Sequence, residues 1–396
     1  MSAREVEERD PAPVQTGPAN FASMTAPPQG IVPCIEFPRT MLPLLRCVRD
    51  AGELTLVLEN RSGPIGVIDG MLRCRECSAE YAIESGIARM MTHTVTAENA
   101  HEMSLKDIEY RAMPEEFVAP ESSWRSELND LIEVGPHLDA LKPLEGKRVL
   151  ELACGDGRFT LLMAQLGAQV LAVDFAIDGL RQLAKNLARG TPPTLFKVKP
   201  VATPGEMRER VALVHADASR FAAAPRSFDR ALSATPCDGR DERMAMYRCI
   251  ADSLADEGFF IGGVEHDYLL RRWLGMPIGR RYSPGGIFIE HLNSATMKRE
   301  AAPYFARIRT WPIRAHVPFV NRLKLSTSSS ARLALAVSAI PGLRQLGTII
   351  LMRAERPFRA NVDGQKRPGS SAVKRFYRWY KRRHGEEPNW DLVDRV

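Results

Sequence analysis

The chain has 396 residues, and its shares of 44% hydrophobic and 26% charged residues are ordinary for a soluble globular protein; the length predicts a central domain with appended segments. The net charge is only +6, no apolar run is long enough to span a bilayer, and the acidic first residues lack the basic and apolar regions of a signal peptide. These features argue against a membrane-spanning or secreted protein and predict a cytoplasmic one, and seven cysteines, an odd number, argue against a disulfide framework.

The first segment, residues 1–30, is rich in Pro, Ala, Thr and Glu and has no hydrophobic period. A segment of this composition buries little apolar surface. We therefore predict a disordered leader that carries no chemistry of its own.

Two short cysteine-containing pairs stand out in residues 31–95. Cys47 is followed three residues later by Asp50, and Cys74 is followed by Cys77 at the same spacing. Tetrahedral zinc accepts Cys ligands and, less often, Asp ligands. Residues 54–58 have leucine at every second position, which is typical of a β-strand.

This segment resembles the small zinc-ribbon-like family that activates tRNA methyltransferases as a separate subunit and also occurs fused to bacterial methyltransferases. That family has two Cys-x-x-Cys pairs and ends in Tyr-Pro-Ile-x-x-Gly-Ile-Pro; here Asp50 replaces one cysteine and Ala82 replaces a proline. The resemblance implies a β-rich domain over residues 31–95. Two alternatives remain: the domain holds a structural zinc through Cys47, Asp50, Cys74 and Cys77, or it is held together by packing alone.

Residues 96–145 have the apolar spacing of helices that are broken near Pro114 and Pro120. We predict a helical linker that joins two domains, or a lid over a ligand.

An apolar run at residues 149–152 contains an acid, Glu151, and leads into a turn with Gly155 and Gly157, after which residues 159–166 have helical spacing. This order predicts a strand, a glycine turn and a helix, whose N-terminus favours a polar or anionic ligand group. A second apolar run ends at Asp174, at the spacing where an acid meets ribose hydroxyls. The third glycine of the dinucleotide fingerprint is replaced by Thr160, which disfavours a nicotinamide cofactor.

Further elements follow in the order that an α/β domain requires. Residues 191–206 read as an inserted loop, and Asp217 ends one predicted strand as either a ligand acid or the cap of a following helix. The other predicted strands cover residues 227–233, 256–264, 306–319 and 347–353, and the helices cover residues 175–187, 240–254 and 333–346.

The whole set resembles the class I S-adenosylmethionine (SAM) methyltransferases, whose first motif is a strand-end acid followed by a Gly/Ala-x-Gly-x-Gly loop. The resemblance implies a Rossmann-like α/β sheet of seven strands over residues 146–358, the last two of them an antiparallel hairpin. It also implies SAM as the cofactor, with Asp217 near the adenine amino group. The cofactor-binding residues that we predict are Glu151, Ala153, Cys154, Gly155, Gly157, Asp174, Phe175, Asp217, Ala218 and Ser233.

Methyl transfer to a hydroxyl requires a base, whereas a carboxylate acceptor requires none. His266, after the predicted fifth strand, is our first candidate for that base, and His291 is the second, because neutral imidazole titrates near the working pH. Each of them is alternatively a hydrogen-bonded structural histidine. The loop at residues 234–239 departs from the commonest pattern of the family, so better-known relatives do not define the acceptor.

The last segment, residues 359–396, interleaves basic and aromatic residues. It is predicted to pack on the core, to bind nucleic acid or to rest on an anionic membrane surface. Our leading functional prediction is a SAM-dependent methyltransferase that acts on an O or N atom of a small molecule, such as a secondary metabolite, saccharide or lipid-linked precursor. An RNA methyltransferase and a SAM-binding partner protein without catalysis are the alternatives, and the oligomeric state is not predicted.

Overall fold

The structure is a computed structural model that describes residues 35–91, 97–111, 124–190, 199–234, 239–267, 280–282, 288–315, 325–340 and 342–358. The predicted leader, residues 1–30, and the basic aromatic tail, residues 359–396, lie outside these described residues.

The N-terminal part of the described chain is mostly strand, followed by two helices. Its elements are β1 Phe37–Pro38, a 3-10 helix Arg39–Leu44, β2 Leu54–Ser62, β3 Gly66–Cys74, β4 Glu80–Glu84, β5 Ile87–Arg89, α1 Ala97–Arg111 and α2 Trp124–Leu141.

Strands and helices then alternate. The elements of this part are β6 Arg148–Leu152, α3 Arg158–Gln165, β7 Gln169–Asp174, α4 Ile177–Arg189, α5 Pro204–Arg210, β8 Val211–His215, β9 Phe228–Ser233, α6 Arg240–Ser253, β10 Leu254–Glu265, β11 Arg280–Tyr282, β12 Phe288–Glu290, α7 Ser294–Ala301, β13 Phe305–Ala315, α8 Thr327–Ala339, a 3-10 helix Leu343–Leu346 and β14 Gly347–Pro357.

The alternating part forms one twisted layer of strands with the order β8-β7-β6-β9-β10-β14-β13. The pairs from β8 to β10 are parallel, whereas β14 runs antiparallel to both β10 and β13. This arrangement confirms the predicted α/β fold and its terminal antiparallel hairpin. The strand order reverses between β6 and β9, and in open α/β sheets the ligand crevice lies outside the carboxyl ends of the strands at such a point.

The N-terminal strands continue the same sheet. β5 pairs in parallel with β8, so that Ile87 lies opposite Leu213, and β4, β3 and β1 extend the sheet beyond it. One apolar cluster contains Phe37 and Leu45 from the N-terminal part together with Val214 from β8, and all three are buried. The N-terminal strands therefore share both a sheet and a core with the alternating part.

One sequence-based expectation is wrong in detail. Residues 191–206 were expected to be a loop, but α5 begins at Pro204. The Thr203 hydroxyl accepts from the Glu206 amide, and the Glu206 carboxylate accepts from the Thr203 amide. This capping box with a proline at the first helical position is a local helix signal that the composition of the segment obscured. Residues 191–198 lie outside the described part.

Two helices meet near the carboxyl edge of the sheet. Leu128 and Ile132 of α2 pack against Ala331 and Ala334 of α8 in a small buried cluster. Further along, the α2 carbonyl of Leu141 accepts from the Arg230 guanidinium near the start of β9. The first half of α2 therefore lies towards the carboxyl ends of the strands. None of the described helices has the length and apolar character needed to cross a membrane.

Candidate active site

The turn after β6 adopts left-handed backbone conformations at three alternate positions. Ala153, Gly155 and Gly157 have φ values of 59°, 58° and 85°. A side chain on Gly157 would overlap Leu183 of α4, since an added Cβ would lie 2.2 Å from a Leu183 methyl carbon. Glycine is therefore needed at Gly157 for both conformation and space, and the turn exposes its backbone at the carboxyl edge of the sheet.

Asp174 ends β7 and holds this turn in place. Its carboxylate accepts from the Gly155 amide at 2.7 Å and from the Ala176 amide at 2.8 Å. The residue is 4% exposed, and burial raises its pKa to about 6. Each carboxylate oxygen accepts one backbone bond here and has capacity for a further donor, such as a ribose hydroxyl.

Glu151 is buried below the turn, at 2% exposure. It accepts a hydrogen bond from the Thr160 hydroxyl of α3, and burial raises its pKa to about 8. The carboxyl group is therefore mostly uncharged at neutral pH. Thr160, which replaces the third glycine of the dinucleotide fingerprint, has a structural partner in this acid.

Asp217 and Phe175 follow the ends of β8 and β7. The Asp217 carboxylate accepts from the Ser219 amide at 2.8 Å and from the Ser219 hydroxyl at 2.7 Å. These bonds close a turn, so the expectation that Asp217 caps a helix is wrong. Ala218 is buried and Phe175 is half-buried. The Phe175 carbonyl accepts from the His215 imidazole at 3.0 Å.

Two further predicted cofactor residues are buried. Ser233 ends β9 with no exposed surface, and its hydroxyl has no hydrogen-bond partner among the residues that the structure describes. Cys154 lies inside the glycine turn, where burial raises the pKa of its thiol, so the thiol stays protonated. Asp174, Asp217 and Ser233 thus follow or end the parallel strands β7, β8 and β9, and the sheet brings them to one edge.

Tyr110 of α1, which the sequence did not single out, covers the glycine turn. A Cβ added to Gly155 would lie 2.5 Å from the Tyr110 hydroxyl, and one added to Gly179 of α4 would lie 2.9 Å from the tyrosine ring. The same helix is anchored to α4, because Asp107 accepts from the Asp178 amide and Arg111 forms an ion pair with the Asp178 carboxylate. The positions 107, 110 and 111 share one helical face, and that spacing is the sequence signal.

The two histidines predicted as bases lie on adjoining segments. His266 forms an isolated bridge with Leu292, the residue after His291, and both histidines are 4% exposed. The His266 Nδ1 lies 2.7 Å from the Gly347 carbonyl oxygen, which can only accept, so Nδ1 carries the proton and Nε2 the lone pair of the neutral ring. Glu290, which precedes His291, accepts a hydrogen bond from the buried Arg243 guanidinium.

A chain of ion pairs crosses the carboxyl edge from the glycine turn to β10. Arg158, the first residue of α3, donates to Glu133 of α2 at 2.7 Å. Arg314 of β13 donates to the other Glu133 oxygen at 3.0 Å and to Glu265 at 2.9 Å. Burial alone would raise the pKa of Glu133, but the two arginines outweigh it and lower that pKa. No local sequence pattern predicted this series of ion pairs, because its residues are far apart in the sequence.

The predicted metal ligands Cys47, Asp50, Cys74 and Cys77 lie together, with their ligand atoms within 4.8 Å of one another. The Cys47 and Cys77 sulfurs are 3.5 Å apart, and Cys74 Sγ lies 3.4 Å from an Asp50 oxygen. Two bonds of about 2.3 Å to a shared zinc allow such separations. The Gly52 amide lowers the pKa of Asp50 to about 2, so its carboxylate is ionised. The donor set fits a zinc ion.

The alternating part is thus an α/β sheet whose strand order reverses at the edge that carries the glycine turn and Asp174. Residues 149–258 match the family described as a methyltransferase domain. The match includes the glycine turn, Asp174, Asp217 and Ser233, and it identifies this segment as a methyltransferase domain.

Curated relatives align only over short stretches. The chain is 44% identical over 55 residues to the 23S rRNA (uracil(1939)-C(5))-methyltransferase RlmD of Shewanella sp. (strain MR-4), which covers 14% of this chain and 12% of that protein. It is 36% identical over 77 residues to the ubiquinone biosynthesis O-methyltransferase of Paracidovorax citrulli, covering 18% of this chain and 32% of that protein. The chain thus spans a third or less of the length of these relatives.

A solved SAM-dependent methyltransferase from Mesorhizobium loti is similar over 60% of this chain and 99% of that chain. The identity is 16% and the TM-score is 0.38.

Proposed function

We propose that the chain is a SAM-dependent methyltransferase that transfers a methyl group to an O or N atom of a small-molecule acceptor. The observation that carries this proposal is the Asp174 carboxylate at the switch point, bonded to the amide of the left-handed Gly155 with acceptor capacity left. The methyltransferase-domain match over the same residues supports it.

The residues around the crevice fit this cofactor. Asp174 offers carboxylate oxygens to the ribose hydroxyls, and the exposed backbone at Gly155 allows close approach of the amino-acid portion. Phe175 and Asp217 stand at the ends of β7 and β8, where the adenine would lie, and Tyr110 covers the turn. SAM supplies a methyl group on a positively charged sulfur, and the protein's task is to align an acceptor with it.

A small-molecule acceptor is favoured by the modest net charge of +6 and by the similarity to a ubiquinone biosynthesis O-methyltransferase. The similarity to an rRNA methyltransferase over 55 residues supports RNA as the alternative acceptor. Retention of RNA during purification, with binding that weakens steeply as salt rises, would favour the alternative. His266 and His291 remain the candidates for a base if the acceptor is a hydroxyl.

The cofactor assignment is tested by Gly155→Arg. We expect SAM binding, measured by calorimetry, to be abolished, because the added side chain fills the turn and meets Tyr110. Gly205→Arg is the matched control, since a Cβ added to Gly205 on the first turn of α5 would lie 4.0 Å from the Thr203 hydroxyl, which is not a close contact. Incubation with methyl-labelled SAM and fractionated extract of the source organism then identifies the labelled acceptor. Unchanged SAM affinity in Gly155→Arg would refute the cofactor site.

We also propose that the N-terminal strands are a zinc-ribbon-like unit, residues 31–95, that holds zinc through Cys47, Asp50, Cys74 and Cys77. Support comes from the mutual distances of these ligand atoms and from the ionised Asp50. The unit covers the edge strand β8 of the methyltransferase sheet through β5. We assign residues 96–145 to a helical lid and linker, in which Tyr110 covers the glycine turn.

A further inference from the structure

Glu265 ends β10, at the carboxyl edge of the sheet and beside β9. Its side chain is 30% exposed, and Arg314 binds its Oε1 at 2.9 Å. Within the part of the chain that the structure describes, Oε2 of this carboxylate has no hydrogen-bond partner. A carboxylate with one oxygen fixed and the other open is an acceptor for a ligand N–H or O–H.

The neighbouring His266 differs in each of these respects. Successive residues of a strand point to opposite faces, and His266 is 4% exposed with Nδ1 on the Gly347 carbonyl. Glu265 instead shares its face with Gly263, against which His137 of α2 packs. Glu265 is thus on the side of the sheet that α2 covers, where Glu133 also lies.

The contacts of Arg314 hold the Glu265 carboxylate in one position. The Arg314 backbone is left-handed, with a φ of 56°, which is costly for a non-glycine residue. The guanidinium donates to three different groups, namely Glu265, Glu133 and the Thr348 hydroxyl, the last at 2.7 Å. The planar fork of arginine loses little freedom in such an arrangement. Glu133 in turn is bonded to Arg158, which directly follows the glycine turn.

We propose that Glu265 binds the methyl acceptor by accepting a hydrogen bond from its hydroxyl or amine group, with Arg314 as the positioning residue. The proposal rests on the methyltransferase function proposed above and narrows its substrate class. The cofactor crevice lies at the tips of β6 and β7, and Glu265 lies across the switch point on the β10 side of the same edge. A carboxylic acid acceptor is disfavoured, because its charge would face that of Glu265.

The test compares wild type with Glu265→Gln, using methyl-labelled SAM and the small-molecule fraction of an extract of the source organism. Glu257→Gln is the matched control, because Glu257 is an exposed glutamate near the opposite end of β10. We expect Glu265→Gln to transfer label about ten- to a hundredfold more slowly at a dilute acceptor fraction, which is the usual effect of losing a hydrogen bond to a charged group. SAM affinity in calorimetry should stay within about twofold.

Two readouts separate acceptor binding from a structural defect. The deficit of Glu265→Gln should shrink as the acceptor fraction is concentrated, whereas a structural lesion lowers transfer equally at every concentration. The labelled product should be stable to mild alkali, as methyl ethers and methylamines are. Release of the label as volatile methanol would indicate a methyl ester and would overturn the proposal.

The remaining outcomes distinguish this proposal from the function on which it rests. Transfer by Glu265→Gln at the wild-type rate, or a deficit that is equal at every acceptor concentration, would overturn the role of Glu265 alone. If wild type binds SAM but labels nothing in any fraction, both the transferase function and the role of Glu265 fail. If wild type does not bind SAM, the cofactor assignment fails first and the acceptor site fails with it.

Discussion

We expect the ionisation of Asp174 to link pH to the binding of SAM. Burial raises the pKa of Asp174 to about 6, and in the cofactor site proposed above the ionised form would accept from the ribose hydroxyls. We expect SAM affinity to fall about tenfold between pH 7 and pH 5, as the carboxylate becomes protonated. Calorimetric titrations across this range measure the effect, and Asp174→Asn should bind more weakly with a flat pH profile. A wild-type affinity that does not change down to pH 5 would contradict this role.

In the ligand-free protein, a rise in pH has the opposite effect at Asp174: it lowers the contribution of this residue to stability. A buried acid whose pKa is above its ordinary value of 3.8 favours the folded state only while it is protonated. Its contribution to the free energy of unfolding therefore declines as the pH rises from about 4 to about 6. Bound SAM should offset that decline through its hydroxyl groups.

Some residues of the candidate site could be predicted from the sequence, and others could not. The glycine turn, Asp174 and the four metal-type ligands were all visible as local motifs, because each one is a short spacing of special residue types. Tyr110 and Arg314 were not visible. Their roles depend on which helix lies over the turn and on the position of β13, which is separated from β10 by β14. Contacts between residues distant in sequence leave no local pattern.

At the scale of elements, the segment before β2 and the end of β3 with its following turn carry the four proposed zinc ligands, and the metal content of the protein is testable. We expect about one zinc per chain in protein purified without chelators, measured by plasma mass spectrometry, and loss of that zinc in Cys74→Ser. Removal of zinc should lower the unfolding temperature, since structural metal binding adds to folding free energy.

The control for this experiment is Cys249→Ser, which changes a cysteine outside the cluster, on α6. Asp50→Cys should keep the zinc, because it restores a second Cys-x-x-Cys pair. A zinc content that is the same in Cys74→Ser as in wild type would show that the cluster is held by packing alone.

The helices show where element prediction succeeded and where it failed. The strands β6–β10, β13 and β14 were predicted to within a few residues, because buried strands are apolar runs bounded by polar turns, whereas the short strands β11 and β12 were not predicted. α5 was missed, although Thr203 and Glu206 form a capping box. The Pro- and Lys-containing composition of residues 191–206 favoured a loop. The charged residues of α5 give little apolar periodicity, so the helical pattern was weak.

At the scale of the whole molecule, the N-terminal strands protect the edge of the methyltransferase sheet. β5 pairs with β8, and the Met90 amide donates to the His215 carbonyl at 2.8 Å. Deletion of residues 1–91 would expose the β8 edge together with the apolar residues that face Phe37 and Leu45. We expect that truncated chain to aggregate in light-scattering measurements and to unfold at a lower temperature.

Deletion of residues 1–34 alone is the control, since it removes none of the described contacts, and it should leave the unfolding temperature unchanged. If a chain lacking residues 1–91 stays monodisperse and unfolds at the temperature of the full chain, the N-terminal strands are not needed to protect the β8 edge. The sequence predicted a separate small domain in this region. It did not predict the shared sheet, because strand pairing over such a distance has no local signal.

The pairing of β5 with β8 has a consequence for how the protein is made. Ile87 leaves the ribosome more than a hundred residues ahead of Leu213, its neighbour in the finished sheet. At synthesis rates of about 5–20 residues per second, β5 is synthesised roughly 6–25 s before its partner strand β8. During that interval the nascent chain depends on its own hairpins, and on any metal that its cysteines capture, to stay out of aggregates.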